Sequence, residues 1–251
     1  MEWLADNGFV TDVRLLARPA LFNLYFALAS IPFGFPLAVG LALARAYGPW
    51  PVRQLAAGWT YCFRGSPLFI QFFMFYSVML AFNVEYWKPW GIDHVVLHPL
   101  FIGPLVLVIN TSAYAGEIFH GALRSVPRGQ LEAARAIGMS PWRTFRTVTW
   151  PNTIRLAWPA YTNEVVFLFH ATALVYFTLP VIGEQKDLMN KAGELFERDY
   201  DVFLHYSVAA LYFLVISLVL FRASAWIYGR MTAHLEPGSR APMRLKPQYV
   251  R

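Results

Sequence analysis

Five apolar stretches, each about twenty residues long, decide what this chain can fold into. They run over 21–44, 67–84, 99–119, 160–182 and 203–221, and each can cross the ~30 Å hydrocarbon core of a bilayer. No water is present at that depth, so each stretch must close its own backbone hydrogen bonds as an α-helix. The expected fold is therefore all-α: a polytopic membrane protein of about five transmembrane helices, forming one domain over 1–251. Composition agrees, because 14% charged residues is far below the ~25% of an ordinary soluble domain. The 17% of aromatic residues suits belts at the bilayer interface.

The distribution of Lys and Arg orients the spans. An odd number puts the termini on opposite sides. With the N-terminus outside, fifteen basic residues fall on inner segments and six on outer ones. The positive-inside rule then predicts a periplasmic N-terminus, a cytoplasmic C-terminus and a cytoplasmic loop over 121–159. The net charge of +6 is thus a topology signal, and no basic patch on a soluble module points to nucleic acid. The single cysteine, Cys62, excludes an internal disulfide, and no Cys/His cluster has metal-ligand spacing. The opening MEWLADNGFVTDVR lacks the pattern of a cleaved signal peptide. The tail over 231–251, with Pro237, Pro242 and Pro247, reads as disordered.

The loop itself is punctuated as two short helices meeting at a glycine. Pro127 suits a first helical position, Gln130 to Ile137 are mostly good helix formers, and Gly138 stands where a left-handed cap belongs. Ser140 can cap a second helix that starts at Pro141 and is expected to end where Pro151 and Pro159 interrupt it. Ala133, Ala134 and Ala136 are small enough for another protein to approach closely. Glu132, one turn into the first helix, can meet that protein's basic group. The plainer alternative is an ordinary cytoplasmic linker.

Polar residues within the spans are the candidate site. Asn110, Tyr114 and Glu117 share one face of the third span; Asn163, Phe167 and His170 share one face of the fourth, with Glu164 about 100° round. Gln71 in the second span faces the same way as Arg64 and Phe75. Ionisable groups at such depth are tolerated when they are paired or line a wet cavity, so these residues either form a polar path or join neighbouring helices. Glu117, near the inner end of its span, can equally contact the loop, and Arg64 reads as an inner anchor. The segment from Glu184 to Asp201, with six acids, is amphipathic enough for a short surface helix, either as a connector or as a docking surface.

Some chemistries have no support. There is no GxxxxGK[ST] motif, so nucleotide phosphates cannot be cradled in the P-loop way, and no HExxH or GxSxG motif supplies a catalytic constellation. An intramembrane enzyme would have to work with Glu117, Glu164 or His170 alone. A self-contained secondary transporter would want an internal repeat, which five spans do not contain.

Glu132-Ala133-Ala134, three residues, Gly138, nine residues and Val148-Thr149-Trp150-Pro151 together resemble the EAA loop of ABC importer permeases, with Val148 for the usual isoleucine and Trp150 for the usual leucine. Arg64-Gly65-Ser66-Pro67-Leu68, Asn110-Thr111-Ser112-Ala113-Tyr114, Glu117-Ile118 and Asn163-Glu164-Val165 extend the likeness in matching order. The chain is similar to the polar amino acid permeases, and Phe169-His170-Ala171-Thr172-Ala173-Leu174 looks most like their histidine/lysine/arginine branch. The resemblance implies a type I importer permease in the bacterial inner membrane, without catalytic, metal or cofactor residues of its own. A dimeric ABC ATPase would hold ATP and Mg and dock through Glu132, Ala133, Ala134, Gly138 and Ser140. A second homologous permease, forming a heterodimer, and a periplasmic amino acid-binding protein would complete the importer. The path would run past Gln71, Asn110, Tyr114, Glu117, Asn163, Glu164 and His170, carrying arginine-, lysine- or histidine-like substrates.

Overall fold

The computed structural model describes residues 8–180 and 185–233; the remainder of the tail, together with Val181, Ile182 and Glu184, lies outside the described residues. All regular structure among the described residues is helical. In chain order the helices are α1 (Gly8–Tyr47), α2 (Trp50–Gly65), α3 (Leu68–Ala81), α4 (Asp93–Val96), α5 (Pro99–Arg124), α6 (Arg128–Ala136), α7 (Pro141–Thr144), α8 (Trp150–Ala171), α9 (Val175–Thr178), α10 (Leu188–Asp199) and α11 (Val202–Met231).

α1 is the spine. Its buried residues Leu16, Ala20, Asn23, Ala27, Ser30, Gly34, Ala38 and Ala42 recur every three or four positions, and so form one stripe of mostly small side chains. Small residues let two backbones approach where lipid offers no hydrophobic drive for association. α5 lies along this stripe: a Cβ on Gly116 would sit 3.4 Å from the Ala38 carbonyl, and one on Gly103 would meet the Phe26 ring at 2.9 Å. Along its length α1 joins three apolar clusters. Leu16 and Ala20 pack with Leu188, Leu195 and Val208 at one end. Phe26 packs with Phe72, Ile102 and Leu168 in the middle, and Ala38 and Ala42 pack with Phe119 and Tyr161 at the other.

Several boundaries differ from expectation. α1 starts well before residue 21 and, at 40 residues, is about 60 Å long, more than a bilayer needs. The extra turns are held by packing against α10 and α11. α1, α5 and α11 combine the length and composition of a span, whereas α3 is apolar but has only 14 residues. α8 occupies 150–171, shifted towards the loop from the expected 160–182.

That shift corrects the expected break at Pro151 and Pro159, both of which lie inside α8. Pro151 stands in its first turn, where a missing N–H has no intrahelical partner to lose. α7, a wider π-type turn over Phe145–Thr149 and α8 then follow one another without a gap. Proline is likewise carried inside α5, where Pro104 leaves the Leu100 carbonyl free and the Tyr25 hydroxyl donates to it at 3.0 Å. The amphipathic surface helix expected after the fourth span is present as α10.

Candidate functional site

α3, α5 and α8 enclose a cavity of about 570 Å³, lined by Asn110, Tyr114, Glu164, Phe167 and His170 among apolar neighbours. One wall is missing, and there Phe167 is 73% exposed. Glu164 is the cavity's one carboxylate. Its Oε1 accepts a hydrogen bond from Thr111 Oγ1 on α5 at 2.8 Å, which fixes one oxygen and leaves the group facing the cavity. His170 Nε2 lies 2.8 Å from Ser217 Oγ and so ties the cavity's far end to α11.

Asn110 is oriented from behind. It donates to Gln71 Oε1 at 3.1 Å and to the Phe63 carbonyl at 3.3 Å. Gln71 is buried, and its amide donates to the Phe63 and Ser66 carbonyls at the break between α2 and α3. Gln71 therefore stands behind the cavity wall rather than in it. Asn163 is exposed beside Glu164 but is not among the lining residues.

Glu117 is not among the residues that line the cavity, and its ion pairs reach α1 and α2 rather than the loop. It pairs with Arg45 at the end of α1 at 2.6 Å and with Arg64 at the end of α2 at 3.3 Å. The Arg64 guanidinium in turn stands 5.4 Å from the centre of the Tyr114 ring, whose hydroxyl donates to the Arg64 carbonyl at 3.4 Å. The two arginines and Glu117 thus pin the C-terminal ends of α1, α2 and α5 together beside the cavity.

The loop forms a rigid elbow. Met139 N–H donates to the Ala134 carbonyl at 3.1 Å and Gly138 N–H to the Arg135 carbonyl at 2.9 Å, the paired bonds of a Schellman cap. Gly138 sits at φ +76°, a region where a side chain is strained. Ser140 Oγ accepts from the Arg143 N–H at 3.4 Å, and Asn152 donates to Gln130 at 2.7 Å, bracing α6 against α8. Glu132, Ala133 and Ala136 are exposed, as are the large apolar Ile137 and Trp142. Ala134 is buried against this chain, so it cannot give a partner close approach. Sequence reasoning singled out neither Thr111 nor the pairing of Arg45 with Glu117. Thr111 directly follows Asn110 in a polar run, which was its one visible signal, whereas the Arg45–Glu117 pairing spans 72 positions and had none.

A model of the family described as binding-protein-dependent transport system inner membrane component matches residues 21–233. The histidine/lysine/arginine/ornithine transport system permease protein HisM of Escherichia coli is 35% identical over 218 residues, covering 86% of this chain and 89% of that protein. Its Salmonella typhimurium counterpart is 39% identical over 79% of this chain and 82% of that one. The nopaline transport system permease protein NocM of Agrobacterium fabrum is 33% identical over 91% of this chain and 92% of that one. Among solved structures, an amino acid ABC transporter described as crystallised with histidines superposes with a TM-score of 0.72 at 25% identity, covering 88% of this chain and 96% of that chain. A transporter importing the polysaccharide alginate, at 16% identity and TM-score 0.70, shares the fold over 90% of this chain and 84% of that one.

Proposed function

The chain belongs to the inner membrane components of binding-protein-dependent transport systems, and from that premise we propose that it forms one half of a translocation path for cationic amino acids. The observation that carries the substrate class is Glu164, the one carboxylate in a cavity whose other lining residues are Asn110, His170 and apolar or aromatic side chains. At an effective dielectric near 20, a carboxylate about 4 Å from an ammonium gains about 4 kcal/mol before desolvation is counted. Phe167 and Tyr114 add ring faces that favour a cation. The names of the relatives agree in kind.

The missing wall beside Phe167 supports a second permease subunit facing the cavity, of the same or a related sequence. The elbow, with exposed Glu132, Ala133, Ile137 and Trp142, supports docking of a separate ATPase that holds ATP and Mg. With the elbow on the cytoplasmic side, as the Lys and Arg distribution predicts, an ATPase docked through Glu132, Ala133, Gly138 and Ser140 lies in the cytoplasm and the binding protein approaches from the opposite, periplasmic face. Asn163, exposed next to Glu164, meets substrate from the open side. Asn110, Tyr114 and His170 shape the cavity, while Gln71 and Glu117 act behind and beside it.

Glu164→Gln tests this, because it keeps shape and hydrogen bonding and removes charge. In reconstituted vesicles carrying the assembled importer, uptake of arginine and lysine is expected to fall by roughly tenfold or more, the equivalent of ≥1.4 kcal/mol. Assembly should be intact. Undiminished arginine and lysine uptake by the variant would exclude Glu164 as the charge partner. Loss of assembly irrespective of substrate would make it a helix tie instead.

A further inference from the structure

A second cavity, of about 510 Å³, opens at the elbow end of the molecule between the last turn of α1, α2 and the last turn of α5. Arg45, Arg53, Arg124 and His120 converge on it, together with the amide of Gln54. The charge there is uncompensated. Arg45 is held by Glu117, but among the described residues Arg53 and Arg124 have no ion pair, and both are exposed. Two free guanidiniums at the mouth of a concave site match a phosphate, whose oxygens accept paired N–H donors.

The surroundings say which phosphate. α2 carries large apolar residues outward on either side of Arg53, with Trp50 66% and Leu55 75% exposed, and Tyr47 lies at the rim. A free anion has no use for such surface, whereas acyl chains need it. Trp and Tyr beside a basic pocket at the inner end of membrane helices are the arrangement that seats a lipid headgroup. We propose that this cavity binds the headgroup of an anionic phospholipid of the inner leaflet, with Arg53 and Arg124 on the phosphate and the acyl chains against the exposed apolar side chains of α2, Trp50 and Leu55 among them. The assignment rests on the elbow end being cytoplasmic. Its link to the transport cavity is short: Arg45, which lines the lipid site, shares Glu117 with Arg64, and Arg64 covers Tyr114.

The test uses the importer purified with its partner subunits in mild detergent and exposed to equal amounts of phosphatidylglycerol and phosphatidylethanolamine. Native mass spectrometry counts the lipids that remain bound. The parent is expected to retain phosphatidylglycerol over phosphatidylethanolamine by about tenfold. Arg53→Gln/Arg124→Gln should abolish that preference, Arg53→Lys/Arg124→Lys should keep most of it, and Arg143→Gln/Arg146→Gln on the elbow should leave it unchanged. Inorganic phosphate at millimolar concentration should not displace the lipid. No preference in the parent, or equal preference in the Gln pair, would overturn the proposal without reference to folding of the variants. Displacement by inorganic phosphate would reassign the site to a soluble anion.

Discussion

At the scale of single residues, the largest unspent constraint is a buried histidine far from the cavity. His205 Nδ1 lies 2.5 Å from Asp12 Oδ2 and its Nε2 lies 2.6 Å from Asp199 Oδ1, so α1, α10 and α11 meet on one ring. A carboxylate only accepts, so each nitrogen must present a proton and the ring holds both acids at once. Asp12 and His205 are both buried, and removing His205 takes from the Asp12 carboxylate the ring it pairs with. His205→Leu is therefore expected to destabilise by on the order of 3 kcal/mol, and His205→Leu/Asp12→Leu by clearly less than the two single changes added together. Thermal unfolding in detergent checks this; additive losses would show that the pair is not coupled. The exposed Asp199 has its own signature. Its bond to His205 holds the carboxyl at about 2, below the ordinary 3.8. That contribution is complete above pH ~4 and is lost as the pH falls through about 2, a loss that Asp199→Asn should not show. Nothing local marks this triad in the sequence. Asp12 and His205 are 193 positions apart, and each alone looks like an ordinary polar residue at a span's edge.

At the scale of elements, the α1–α5 contact bears on the cavity that holds Glu164. A Cβ on Gly34 of α1 would come within 2.7 Å of Thr111 Cγ2 on α5, and Thr111 is the residue whose hydroxyl holds Glu164. A β-branched side chain has few rotamers to retreat into, so an added methyl at Gly34 must turn Thr111 or part the helices. Gly34→Ala is accordingly expected to cut uptake severalfold, through loss of the Thr111–Glu164 bond rather than of the fold. Thr111→Ser in the same chain removes the clashing methyl and keeps the hydroxyl. Recovery of uptake in Gly34→Ala/Thr111→Ser would locate the defect there; no recovery would place it in backbone separation. The helices were legible because apolar length is a coarse property that survives any detail of packing. Their ends were not, where proline was the guide. In water Pro151 and Pro159 stop a helix, whereas in α8 one sits in the first turn and the other is carried within a packed membrane helix. The cavity was half legible for a related reason. Helical periodicity placed Asn110, Tyr114, Phe167 and His170 on common faces, but it could not show that Gln71 and Glu117 spend their hydrogen bonds on the backbone and on arginines.

At the scale of the whole molecule, the elbow and the cavity are parts of one lever. From Pro141 the chain coils through α7, the wider turn at Phe145–Thr149 and α8 to Ala171 without a break, about 45 Å at 1.5 Å per residue. Glu164 rides on this rod, while Thr111, which grips it, belongs to α5 and is packed against α1. On the proposed docking at the elbow, a force applied there would reach the cavity as movement of Glu164 against Thr111, provided that the elbow is stiff. Its stiffness depends on Gly138, whose positive φ lets α6 end in paired cap bonds and the chain turn into Ser140 and the rod. No neighbour crowds Gly138, so a side chain there is opposed by backbone conformation alone, by about 1–2 kcal/mol. That is too little to unfold the protein and enough to loosen the cap. Gly138→Val is thus expected to reach the membrane in normal amount and to keep its melting temperature within a few degrees, yet to lose most ATP-dependent uptake. Gly138→Asn, which tolerates the left-handed region, should retain most of it. Full uptake by Gly138→Val would mean that the elbow's rigidity is not what carries force to Glu164.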